Sequence, residues 1–192
     1  MPLPTLGDLS WLPALAHPEL LAPSTHASLA AWVATESLVG ESIAVAAIDP
    51  ELADTAAFVA AYHVPMTASV NCVVIQGRRG DTERIAAAAI RADMRADVNG
   101  VVKRLLDARK CSFLGLDEAV ARSGMEYGGI TPVGLPDGWR VLVDDQVRYL
   151  PAVVIGSGIR GSKLLLPSDL LARYPGAEVI DGLAFVPRPA ET

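Results

Sequence analysis

The nine residues Gly128-Gly129-Ile130-Thr131-Pro132-Val133-Gly134-Leu135-Pro136 can be neither helix nor central strand. Three glycines permit positive φ and close backbone approach, while two prolines fix φ and restrict the residues before them. Such a run is a stiff loop whose bare N–H groups can face a ligand, as in an oxyanion hole or a phosphate nest. An ordinary connecting loop has the same composition. A second glycine-rich run, Gly156-Ser157-Gly158-Ile159-Arg160-Gly161, follows it, and between the two lies Val141-Leu142-Val143-Asp144. Two glycine loops bracketing a strand that ends in a carboxylate predict a site.

The remaining pattern supplies elements around these loops. Residues 1–30 carry four prolines by position 18 and read as irregular or short helical turns over the core, with a short helix from Ser28 to Leu38. Ile43–Ile48 is a short apolar run suited to a buried strand. Asp49-Pro50-Glu51 is a helix start, with Leu52, Ala56, Val59 and Tyr62 at helical spacing and Pro65 as the stop. Asn71–Gln76 reads as a strand and Gly77-Arg78-Arg79-Gly80 as a turn. Arg84–Ile90 either returns as the second arm of a hairpin or, given its alanines, is helical. Asp97 caps an amphipathic helix with Val98, Val101, Val102, Leu105 and Leu106 on one face. Cys111–Leu114 is extended, and Leu116–Ser123 is a helix with acids in its first turn and Gly124 as its cap. Val141–Asp144, Ala152–Ile155, Lys163–Leu166 and Val179–Ile180 are strands, and Ser168–Tyr174 is a capped helix. Runs of strands with helices between some of them predict an α+β domain with a mixed sheet.

A chain of 192 residues suits one domain with an appendage. No apolar run approaches the ~18 residues of a membrane helix. The N-terminus lacks a positive region, so no signal peptide is expected. Cys72 and Cys111 lack metal-site spacing, and reduced thiols in a cytoplasm are the default. The net charge of −6 is unevenly spread: residues 1–77 have no Lys or Arg, whereas 78–110 hold nine bases against five acids. That basic segment suits an anionic partner such as RNA and equally a solvated helix face and hairpin.

Gly156–Gly161 also fits the dinucleotide pattern G-x-G-x-x-G, with Asp181 downstream. A helix opening there would have to accommodate Pro167, at a cost of about 3 kcal/mol in its interior. Lys163–Leu166 reads better as a strand. His17, His26 and His63 all precede the candidate site, which argues against a Ser-His-Asp triad or a histidine-rich metal centre. Cys72 beside Asn71, with His63 nearby, has the composition of a Cys-His-Asn set, but a strand cysteine is far more often a small hydrophobe. The remaining set is loop N–H groups with Asn71, Asp144 or Asp145, Ser157, Arg160 and Lys163. It suits water attack on an activated ester and suits amide cleavage poorly.

The order of these features resembles the YbaK/ProX family of aminoacyl-tRNA deacylases, related to the editing insertion of bacterial prolyl-tRNA synthetases. The matching features are Tyr62-His63-Val64-Pro65, the strand Asn71–Gln76, the helix opened by Asp97, GGITPVGLP, VLVDD, GSGIRG and PSDLL. The resemblance implies a mixed, barrel-like sheet ringed by helices over residues 46–186. It leaves 1–45 as an N-terminal helical or irregular appendage and 187–192 as a frayed tail. It implies hydrolysis of the ester of a mischarged aminoacyl-tRNA in the cytoplasm, with no cofactor or metal and with no membrane or DNA partner. Asn71, Gly128, Gly129 and Asp144 would be catalytic. Ile130, Pro132, Gly156, Ser157, Gly158, Arg160 and Lys163 would bind substrate, while Arg78, Arg79, Lys103 and Lys110 would meet the RNA. Asn71 stands where the family carries a lysine, so a non-catalytic member that binds tRNA or a small metabolite is the alternative. A further possibility is that Asp144 and Arg160 merely form a loop-fixing ion pair.

Overall fold

Short Val- and Ala-rich runs separated by turn residues build several small sheets, described by a computed structural model over residues 3–187. The expected frayed tail lies, from residue 188 onward, outside the described residues. A two-residue strand β1 (Leu12–Pro13) and two 3-10 turns lead into α1 (Pro23–Thr35). This helix starts before the expected Ser28 because a proline is well tolerated at its first position. β2 (Ala44–Ala47) falls within the expected apolar run. The helix expected from Asp49 is split in two. The Asp49 carboxylate accepts the Glu51 N–H at 3.0 Å and caps only a 3-10 turn, and α2 (Thr55–Tyr62) starts afresh after Asp54.

A long hairpin follows, β3 (Val70–Arg79) and β4 (Thr82–Arg91), closed by Gly80 and Asp81. The turn lies beyond the expected position, since Gly77, Arg78 and Arg79 still pair with Arg84, Glu83 and Thr82. After β5 (Arg95–Ala96), the Asp97 carboxylate accepts the N–H groups of Gly100 and Val101 at 2.9 and 3.0 Å. What it caps is a π turn over Val98–Val102 continued by one α turn, α3 (Lys103–Leu105), not a regular helix. β6 (Lys110–Phe113) and α4 (Leu116–Ser123) come next, and Gly124 in the left-handed region ends α4. The chain then adds β7 (Arg140–Asp144), β8 (Ala152–Gly156), β9 (Ser162–Pro167), α5 (Ser168–Ala172), β10 (Ala177–Ile180) and β11 (Ala184–Phe185). Pro167 ends a strand, and the dinucleotide fingerprint therefore has no helix to open.

The architecture is mixed α+β. A five-stranded sheet runs β10-β7-β4-β3-β6, with β7 parallel to both β10 and β4. A four-stranded antiparallel sheet runs β1-β2-β9-β8, and β11 pairs with β5. No closed barrel forms among the described strands; a single bridge, Ser69 with Val154, joins the two larger sheets. Alanines favour helix in isolation. In β4 they are strand because the strand lies between β3 and β7, with Ala86–Ala89 fully buried. The main core spans both sheets and α1, where Leu29 and Trp32 share a cluster with Val143, Ile155 and Leu164.

The N-terminal residues also reach the glycine loops. The Ala22 N–H donates to the Ser157 carbonyl at 3.1 Å, the Ser162 hydroxyl to the Leu20 carbonyl at 2.6 Å and the Thr25 hydroxyl to the Val133 carbonyl at 3.3 Å. Residues 20–25 are thus wedged between the two loops.

Candidate active-site cleft

An open cleft of about 380 Å³ lies where the start of β3 meets the end of β6, α4 and the first glycine loop. Its walls are mostly apolar, formed by Cys72, Val73, Val74, Phe113, Leu114, Leu116, Ala119 and Ile130, with Asn71, Tyr127 and Gly128 at one side. Desolvation in this wall pushes the Cys72 thiol up to about 12, which leaves it no thiolate character at neutral pH. His63, the other member of the Cys-His-Asn possibility, lies at an exposed position and pairs with Asp8 at 2.6 Å.

Three consecutive residues at the start of α2 organise the polar side. The Ala53 carbonyl accepts the Lys163 ammonium at 3.0 Å, the Asp54 carboxylate lies 3.7 Å from Arg160, and the Thr55 hydroxyl donates to Asn71 Oδ1 at 2.8 Å. Lys163 projects from β9 and is 8% exposed, with Nζ also donating to the Gly128 carbonyl at 3.1 Å and lying 5.4 Å from the Phe58 ring centre. Burial lowers its pKa from 10.5 to about 8; neighbouring Arg160 adds to the depression and Asp54 opposes it. Arg160 sits over the Tyr127 ring at 4.9 Å. Asn71 uses its carbonyl oxygen on Thr55, leaving the Nδ2 donors as its group for a ligand.

The two glycine loops interlock. Gly158 N–H donates to the Gly129 carbonyl at 2.8 Å, and Gly129 N–H donates to the Glu126 carbonyl at 3.0 Å. A Cβ on Gly129 would overlap the Ile159 backbone, so this glycine is required for close approach. Its N–H is occupied and cannot serve as the expected oxyanion donor. The Gly128 N–H has no acceptor among the described residues.

Of the residues singled out from sequence, Asn71, Gly128 and Ile130 line the cleft, and Gly129, Arg160 and Lys163 adjoin it. Others lie elsewhere. Asp144 is 1% exposed, and its oxygens accept the N–H groups of Gln146 and Ala184 at 3.0 and 2.9 Å. It ties β11 to the end of β7 and is not among the residues lining the cleft, and Arg160 pairs with Asp54 instead of Asp144. Ser157 is buried in a hydroxyl knot with Ser162 at 2.6 Å, and Gly158 packs on Ala22. Pro132 lines a different depression, beside Ser24 and Tyr174. Arg78, Lys103 and Lys110 line a depression of about 560 Å³ with Arg109, whereas Arg79 is held by Asp107 at 2.6 Å. Thr55, Phe113, Tyr127 and Arg109 escaped sequence reasoning. The Asp54-Thr55 helix start was the one available signal for Thr55.

The cleft is thus apolar along most of its wall, with a loop amide, a carboxamide, the buried Lys163 and the Asp54–Arg160 pair at its polar side. The chain belongs to the aminoacyl-tRNA editing domain family, whose model matches residues 49–174. Among solved structures it resembles the hypothetical protein APE2540, at 20% identity and a TM-score of 0.69, covering 82% of this chain and 99% of that one. It also resembles a protein assigned as a candidate trans-editing enzyme for prolyl tRNA synthetase, at 19% identity and a TM-score of 0.65, covering 84% and 97%. No curated protein sequence matches.

Proposed function

We propose that this protein is a cytoplasmic deacylase that hydrolyses the ester joining a mischarged amino acid to tRNA. One observation carries the reading within the editing family: the Gly128 loop, Asn71 and the buried Lys163 converge at one side of an apolar cleft. The cleft takes the aminoacyl side chain. Asn71 Nδ2 hydrogen-bonds the terminal ribose or the α-amino group, and the Gly128 N–H meets the ester carbonyl or the attacking water. Lys163, held against the Gly128 carbonyl, places positive charge beside the oxygen that becomes anionic on water addition, where a desolvated site makes such charge most effective. No covalent intermediate is needed: the neutral Cys72 thiol is a poor nucleophile, and His17 and His63 are engaged with Glu19 and Asp8. Lys163 in this role compensates for Asn71 standing where the resemblance has lysine.

The test is release of labelled amino acid from a panel of mischarged tRNAs. Wild type should release at least one amino acid, and Lys163→Met should lower kcat/KM by at least ten-fold while remaining folded. The competing reading, a non-catalytic tRNA or metabolite binder, is supported by Asn71 and by the occupied Gly129 N–H. Saturable tRNA binding without release from any member of the panel would establish it.

A further inference from the structure

The floor of the cleft is a single apolar cluster: Val74 of β3, Leu114 after β6 and Ala119 of α4, with Ile130 packed against them. Those first three are almost wholly buried, whereas two apolar residues of the rim are open, Phe113 at 63% and Leu116 at 50% exposure. Apolar surface that joins a closed floor to an exposed rim is unfavourable in water and marks a place for an apolar group. A single methyl group at the floor leaves the rim in water; a longer aliphatic chain reaches both.

Polarity restricts the occupant as much as size does. Among the side chains of the apolar wall, the Cys72 thiol is the only polar group, and burial keeps it neutral. A hydroxyl brought to the floor gives up its bonds to water and meets no side-chain partner there. Ala119 sets the depth. It is the smallest side chain in the wall, and it stands one turn along α4 from Leu116 of the rim, on the same helix face.

We infer that the cleft selects an aliphatic acyl side chain of about three or four carbons, from valine to leucine in size, over alanyl and over hydroxyl-bearing side chains, and that Ala119 is the specificity-determining residue. This rests on the deacylase reading for the ester that carries the acyl group.

Adenosine compounds carrying an aminoacyl group through a 3′ amide test the selection by calorimetry, without hydrolysis. The leucyl compound should bind at least about ten-fold tighter than the alanyl one, and the valyl compound on the order of a hundred-fold tighter than its isostere, the threonyl one. Ala119→Leu should weaken leucyl binding by at least about ten-fold and spare alanyl binding, with melting unchanged. Should that variant melt early, Leu116→Ser on the exposed rim must likewise weaken leucyl binding and spare alanyl. Equal binding of leucyl and alanyl, no preference for valyl over threonyl, or no binding of any compound overturns the inference. Binding in the expected order without release from leucyl- or valyl-charged non-cognate tRNA upholds the selection and refutes the enzyme. Release of alanine at least as fast as leucine upholds the enzyme and overturns the selection.

Discussion

Asn71, Lys163 and Gly129 carry separable consequences at the scale of single residues. Removing one partner of a buried polar contact costs roughly 1–3 kcal/mol. Asn71→Ala should therefore lower kcat/KM about five- to a hundred-fold with the fold intact, and melting curves measured beside deacylation rates separate this from lost stability. Lys163 makes two pH-dependent quantities move in opposite directions. Below pH 8 the ammonium is charged in both folded and unfolded chains, and the cost of burying it is present in full. Between pH 8 and 10.5 the folded protein has released this proton and the unfolded chain has not, so stability rises with pH. Relative to Lys163→Met, wild type should gain up to ~3 kcal/mol across that window in denaturant titrations. Its catalytic advantage over the same variant should fade through the same window as the cation disappears. A rate advantage that persists at pH 10 would assign Lys163 a purely structural role. Gly129→Ala should lose about 1–3 kcal/mol from overpacking against the Ile159 backbone, visible as an earlier melting transition.

At the scale of elements, the glycine loops are positioned by chain outside the residues matched to the family model. Gly158 has φ +90°, and a Cβ there would overlap Ala22 and approach Thr25 Oγ1 at 2.7 Å. Gly158→Ala combines backbone strain with overpacking and should cost ~2 kcal/mol or more. Because Gly158 N–H also holds the Gly129 carbonyl, turnover should fall together with stability. Unchanged melting in that variant would mean that residues 20–25 yield easily and do not brace the loops. Asp97 illustrates a different point about elements: a good cap secures a start without dictating which helix follows. Its two accepted N–H groups come from Gly100 and Val101, in a π turn.

Across the whole molecule, a net charge of −6 opposes association with RNA except through the 78–110 segment. The apparent affinity for intact tRNA should fall linearly on logarithmic axes as salt rises, and each lost phosphate contact should reduce that slope by about one. Measuring KM for deacylation between low and moderate salt checks this. A KM indifferent to salt would place recognition in the cleft alone. The same scale explains why the site is where it is: Ser69, just before β3, bridges Val154 of β8, and the seam between sheets brings β9, α2 and the first glycine loop within reach of one another.

What the sequence by itself determined was local. Gly and Pro spacing marks the loops because backbone sterics act within a few residues, and α4 with its Gly124 cap follows from its own periodicity and termination. The ordered motifs also identify the editing family. Tertiary structure decided everything that depends on distant partners. It made the alanines of β4 a strand between two others, and it turned Asp144 from a candidate catalyst into a tie for the Ala184 N–H. Lys163 was legible as a site candidate, but its two carbonyl partners lie 110 and 35 residues away, so its desolvation could not be read from neighbours. Phe113 and Tyr127 carry no periodic signal at the ends of short elements, and only the folding of β6, α4 and the loop around one cleft brings them to its rim.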